Sequence, residues 1–136
     1  MASIYCKPSQ LNLIKLQYPD LEPIFAEDGT MLTTYNKRKS KSCTIIVTLS
    51  GLYFYRMRKH YALLKHFFSI YDIKTIQFID PIKSKVISKG DKSETFTANH
   101  MGDILSKLSS ALSLLTGNFR DHPNITFEGF PMEPRV

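Results

Sequence analysis

Apolar and polar positions alternate with period two along most of the chain, and the period then changes once. The clearest strand signal is an apolar, β-branched and aromatic run from Cys43 through Thr44-Ile45-Ile46-Val47-Thr48-Leu49, broken once at Ser50-Gly51, and on through Leu52-Tyr53-Phe54-Tyr55-Arg56. β-branched and aromatic residues suit a pleated, half-buried surface, so this stretch reads as a hairpin of strands 43–49 and 52–58 turning at Ser50-Gly51. Before it, an Asp28-Gly29 turn leads to a strand at 30–35, with Met31, Thr33 and Tyr35 on one face, and a charged loop at 36–42. After it come strands at 65–71 and 73–80, kinked apart at Asp72, the second closed by Pro81, which offers the ladder no donor. Strands at 83–88 and 93–98 flank a Lys89-Gly90-Asp91-Lys92 turn. Then Met101, Ile104, Leu105, Leu108, Ala111, Leu112 and Leu115 form one helical stripe. Asn99 is the expected N-cap, Asp103 lies in the first turn, and Gly117 is the expected C-cap.

The ends are less regular. Pro8, Pro19 and Pro23 punctuate the first 23 residues. Between the first two, 11–16 reads as a turn or two of helix capped by Ser9, or as a short strand. The tail, 118–136, carries Phe119, Ile125, Phe127 and Phe130 among three prolines. It is too apolar for a free tail, and is expected to pack on the domain or lead to a further one. The expected organisation is an N-terminal extension at 1–29, a domain at 30–117 and a C-terminal extension at 118–136. The 136 residues allow one core, and 43% hydrophobic with 22% charged residues is globular composition.

About seven short strands followed by one amphipathic helix is an α+β order: a curled antiparallel sheet, or partly open barrel, capped by the C-terminal helix. The residues 44–55, then Phe68-Ser69-Ile70-Tyr71-Asp72-Ile73-Lys74-Thr75-Ile76, then Lys89-Gly90-Asp91, Phe96 and the helix resemble a pleckstrin-homology-like domain. The likeness is to the divergent versions in myosin-I tails and CARMIL-type leucine-rich-repeat actin regulators, and covers about residues 30–116. It implies a cytoskeletal or signalling setting, and a lipid or peptide ligand with no cofactor. Members that bind phosphoinositides often carry Lys/Arg-x-Arg opening strand two; Cys43-Thr44-Ile45-Ile46 does not supply it, which implies a diffuse basic rim.

Charge sharpens that picture. No acidic residue lies between Asp28 and Asp72, while Lys37, Arg38, Lys39, Lys41, Arg56, Arg58, Lys59 and Lys65 do. This window holds +8 of a chain whose net charge is +6. A one-sided field suits an anionic partner. The resemblance brings the loops after strands one and three together, which makes Lys37, Arg38, Lys39, Lys41, Arg56, Arg58 and Lys59 the candidate headgroup-binding residues for anionic phospholipid. The alternative is a protein-interaction module that binds a peptide, as an added strand between 73–80 and the helix, or a neighbouring domain. Nucleic acid is the weaker reading of Tyr53, Tyr55 and Tyr61 among the basics, because alternate strand aromatics serve cores more often. His60, His66, His100 and His122 show no metal-ligand or triad spacing, so neither catalysis nor a metal is expected. Cys6 and Cys43 without a CxxC read as free thiols. With no secretory signal pattern, the expected location is cytoplasmic and peripheral at a membrane.

Overall fold

The structure is a computed structural model that describes residues 3–32, 40–115 and 125–129. Its elements are β1 (Ser3–Tyr5), α1 (Pro8–Gln17), β2 (Phe25–Leu32), β3 (Ser40–Thr48), β4 (Gly51–Met57), β5 (Ala62–Ser69), β6 (Ile73–Asp80), β7 (Lys83–Ser88), β8 (Ser93–Thr97), α2 (Met101–Leu115) and β9 (Thr126–Glu128). The strands form one sheet in the order β5-β4-β3-β2-β8-β7-β6-β9, with β1 added beside β2. Seven of them, β2 to β8, are the expected meander and pair antiparallel. β1 and β9 pair in parallel at its margins.

β2 is where the sheet curls. It pairs with β3 along its whole length, from Phe25↔Val47 to Leu32↔Ser40. Its other edge pairs first with β1 (Ser3↔Phe25 to Tyr5↔Glu27) and then with β8 (Thr30↔Thr97 to Leu32↔Thr95). Gly29 sits close to that change of partner, and a Cβ there would lie 2.2 Å from the Thr97 carbonyl oxygen. The expected turn at Asp28-Gly29 is therefore corrected: both residues lie within β2, and the glycine permits a close crossing of two strands. The strand expected at 30–35 starts five residues earlier, because Phe25, Ala26 and Glu27 are already buried. Its expected part at 33–35 lies outside the described residues.

The hairpin also moves by one residue. Thr48 pairs with Gly51 and the turn is Leu49-Ser50, tied by the Ser50 N–H donating to Thr48 Oγ1 at 2.9 Å. Gly51 has φ +144°, and a Cβ there would stand 2.1 Å from the Phe68 carbonyl oxygen. The strand expected at 65–71 is Ala62–Ser69, and its register with β4 slips at a bulge between Phe54 and Tyr55. The strands at 73–80 and 83–88 lie where alternation put them, and the next ends at Thr97.

Two cores result. Inside the curl, Phe25, Ile45, Val47, Leu52, Phe54, Phe68, Val86 and Phe96 meet the α2 stripe, with Met101, Ile104, Leu108 and Ala111 buried. Outside it, Ile14 of α1 packs on Ala26, Ile46, Tyr55 and Ala62. α1 is longer than expected and Ser9 is not its cap: Pro8 opens it, Lys7 is the N-cap, and no side chain caps it. The Gln17 amide locks it down by donating to the Ala62 carbonyl at 3.0 Å and accepting the Ala62 N–H at 2.5 Å.

α2 matches its expected span, but Asn99 does not cap it. The His100 carbonyl accepts the first helical N–H groups, from Asp103 and Ile104. The His100 N–H in turn donates to both oxygens of the buried Glu27 carboxylate, at 3.0 and 3.1 Å. The expected C-cap, Gly117, lies outside the described residues.

Candidate anion-facing rim and outer cleft

The register of β3 and β4 decides where the basic residues meet. Thr44 faces Tyr55, and continuing that antiparallel pairing brings Lys41 opposite Arg58. The β4–β5 connection is a tight turn in which the Arg58 N–H donates to the Tyr61 carbonyl at 2.8 Å. Lys41, Arg58 and Lys59 are exposed there, and Arg56 is partly buried. Lys37, Arg38 and Lys39 lie outside the described residues, so four of the seven candidates have a place, and those four share one end of the hairpin.

Two further cations, which the sequence reading did not include, stand at the other end of β5. The Lys89 N–H donates to the Asp72 carbonyl at 2.8 Å, which sets the β7–β8 turn beside the connection from β5 to β6. Lys89 and Lys92 of that turn are exposed. The Lys92 ammonium donates to the Phe67 carbonyl at 3.4 Å and sits 4.8 Å from the Phe68 ring centroid, which fixes the turn against β5. The signal was present as a Lys-Gly-Asp-Lys turn, but only its contacts show that it sits against Phe67 and Phe68, away from Arg58.

The inside of the barrel is not built for an anion. Glu94, buried on β8, takes His66 Nε2 at 3.1 Å, and the rings of Phe54, Phe68 and Phe96 pack beside them edge to face. His66 Nδ1 is buried with no partner among the described residues. Burial first, and then the Glu94 and Asp28 carboxylates, push the Cys43 thiol up to about 12, with Arg56 opposing.

The outer face carries a cleft of about 470 Å³ between the start of α1, the middle of β2 and β3, the end of β4 and the residues that follow β8. Lys7 and Arg56 supply its cations, and Thr30, Ser42, Thr97 and Asn99 much of its polar wall. Its acid, Asp28, accepts from the Thr44 hydroxyl at 3.0 Å and from the Gln10 amide in the hydrogen-bonding orientation of that group. The Thr30 and Thr97 hydroxyls bond each other across the β2–β8 pair.

The edge expected to accept a peptide is partly taken. Thr126, Phe127 and Glu128 of β9 pair in parallel with Thr75, Ile76 and Gln77 of β6, and Ile125 is buried in the main core. Among the described residues no group of three metal-ligating side chains converges, and no helix is long and apolar enough to cross a membrane.

No family model matches the sequence, and no curated protein matches it. Solved structures do. The DH/PH domains of p115-RhoGEF align with a TM-score of 0.58 at 10% identity, covering 83% of this chain and 36% of that one. Autoinhibited Vav1 aligns at 0.56 with 12% identity, covering 81% and 23%. The DH/PH fragment of PDZRHOGEF, solved in complex with human RhoA, aligns at 0.56 with 13% identity, covering 78% and 32%. The chain thus spans between about a fifth and two fifths of the length of these structural relatives. At such low identity the likeness speaks for the fold alone, and that fold, an open curled antiparallel sheet closed by a C-terminal helix, is pleckstrin-homology-like.

Proposed function

We propose that this domain is a non-catalytic module that brings a larger cytoskeletal or signalling protein to anionic phospholipid membranes by charge. The observation that carries the reading is the shared end of the β3–β4 hairpin, where exposed Lys41, Arg58 and Lys59 lie with the partly buried Arg56. The earlier likeness to myosin-I tails and CARMIL-type regulators fits a cytoskeletal setting. Each cation near an anionic surface contributes about 1 kcal/mol, and the attraction fades within a Debye length of about 8 Å. Four or five engaged residues give roughly 4–5 kcal/mol, a millimolar-class contact, so recruitment needs avidity from the rest of the protein. The location that follows is the cytoplasmic face of a membrane.

Liposome sedimentation tests this. Binding should rise with the anionic lipid fraction and fall with salt, and the double variant Lys41→Glu, Arg58→Glu should abolish it while leaving the circular dichroism spectrum unchanged. Binding indifferent to lipid charge or to salt would sink the reading.

A second reading, protein binding, has its own observation: β6 already accepts an added strand from the chain's own tail. One structural relative was solved with a protein partner, human RhoA. Deleting residues 125–136 would open that edge, and a pull-down that gains a partner only in the shortened chain would favour this reading.

A further inference from the structure

We infer that this domain associates with further copies of itself head to tail, the basic β4–β5 turn of one molecule docking on an acidic, apolar groove at the far end of the β3–β4 hairpin of the next. The inference goes beyond the membrane reading and does not rest on it; it gives the basic rim a second partner. The groove lies where the β3–β4 turn meets the connection from α1 to β2 and the outer side of α2. It offers about 540 Å³ and runs on into a cleft of about 490 Å³, the two sharing Asp20, Leu21, Ser50 and Tyr53. Its apolar wall faces solvent: Leu49 is 45% exposed, and Leu114, which lies off the buried stripe of α2, is 68% exposed. Asp20 and Glu22 line it with two exposed carboxylates against the single ammonium of Lys107. Among the described residues neither carboxylate is in an ion pair.

The other end of the hairpin carries the complement. The turn from Arg58 to Tyr61 is closed by the Arg58 N–H donating to the Tyr61 carbonyl at 2.8 Å. Arg58 and Lys59 are exposed and, among the described residues, outside any ion pair, and Tyr61 beside them is 50% exposed. A tyrosine combines an apolar ring with a polar tip, and Tyr and Arg are the residue types that most often anchor protein interfaces. Tyr61 against Leu49 and Leu114, with Arg58 and Lys59 against Asp20 and Glu22, satisfies both surfaces at once. No molecule can do this to itself. The Leu49-Ser50 turn and Arg58 stand at opposite ends of β4, roughly 25 Å apart at about 3.3 Å per residue. The two patches are different surfaces, so the contact is heterologous and each copy keeps one patch free for the next. Association therefore continues past the dimer, and exposed charges make it weak and salt-sensitive.

Sedimentation equilibrium of the full chain tests this, from about 10 μM to about 1 mM, the range of weak contacts. At low salt the average mass should rise past that of a dimer. It should return toward the monomer at about 1 M salt, where the Debye length is about 3 Å. The groove variant Asp20→Lys, Glu22→Lys and the turn variant Arg58→Ser, Tyr61→Ser should each weaken association at least about tenfold with the far-UV circular dichroism unchanged. Leu49→Ser with Leu114→Ser, which alters no charge, should weaken it as well. Mixed in equal amounts, the groove and turn variants should pair one to one and stop there, because the mixture holds one intact turn and one intact groove. A chain that stays monomeric throughout, association that ends at the dimer, or two variants that do not pair would each overturn the inference. Anionic vesicles sedimented with the chain at about 10 μM, where weak association leaves it monomeric, score the membrane reading separately, so either can fail while the other stands.

Discussion

Glu27 fixes the start of α2, and replacing it measures how much a single buried carboxylate holds together. Its side chain is 3% exposed, and it receives the His100 N–H through both oxygens and His100 Nδ1 at 2.5 Å. The His100 ring in turn stacks on Tyr5, centroids 3.7 Å apart, so one acid joins β1, β2 and the helix N-terminus. Hydrogen bonds to a charged acceptor contribute about 1.5–3 kcal/mol each in net terms, and an anion in the first turn adds about 0.3–1 kcal/mol through the helix dipole. Burying the carboxylate costs part of this back. The expected loss for Glu27→Ala is therefore about 2 kcal/mol, a fall of about 1 M in the urea midpoint at a slope of about 2 kcal/mol per M. Glu27→Gln keeps an acceptor and loses the charge, and should cost about half as much. His100→Ala keeps the backbone N–H on Glu27 and should cost less than Glu27→Ala. Urea titration followed by far-UV circular dichroism reads all three. A midpoint shift below about 0.25 M for Glu27→Ala would refute the reasoning. His100→Ala as costly as Glu27→Ala would show that the carboxylate serves the ring and not the helix.

Ile14→Ala should cost about 2–4 kcal/mol by thermal melt, since Ile14 is wholly buried under α1; a loss under about 1 kcal/mol would mean that α1 is not part of the cooperative fold. Gly51→Ala places a Cβ 2.1 Å from the Phe68 carbonyl oxygen at φ +144°, and should destabilise by more than about 2 kcal/mol in the same assay. Burial, with a smaller contribution from Asp28, pushes the Cys6 thiol up to about 11, and Cys43 stands at about 12. A neutral thiol reagent at pH 8 should therefore label the buried Cys43 only as fast as the protein opens, and the partly exposed Cys6 slowly; rapid labelling of folded Cys43 would contradict its burial. Because the unfolded thiol titrates near about 8.5, the stability these raised values contribute is present below that pH and is lost as pH rises toward the folded values. Urea midpoints should fall from pH 8 to pH 10.5, less so in Cys43→Ala.

The sequence made the period-two elements and the single helix legible, because each is a local pattern. The strands at 73–80 and 83–88 and the helix at 101–115 were placed as the structure has them. What alternation could not show was pairing. Asp28-Gly29 has turn composition, yet Gly29 serves a strand crossing, a contact with Thr97 far along the chain. α1 was nearly invisible, since its apolar residues Leu11, Leu13, Ile14 and Leu16 spread around the helix and only Ile14 is fully buried. At the rim, the acid-free window pointed to Lys41, Arg58 and Lys59. Lys7 lies outside that window, and only the docked helix sets it on a cleft that Arg56 also lines.

The docked helix has a further effect. With α1 on the outside and the main core within, residues 43–48 are six consecutive buried positions on a strand covered on both faces. Neither face of that strand can drift in sequence without repacking a core. Divergence in this domain should then concentrate at the connections, where Leu49, Tyr61 and Ile82 are exposed and nothing packs over them tightly. Relatives would be expected to differ in what their turns present while keeping an apolar β3, and a randomised library should recover folded members only when it spares that strand.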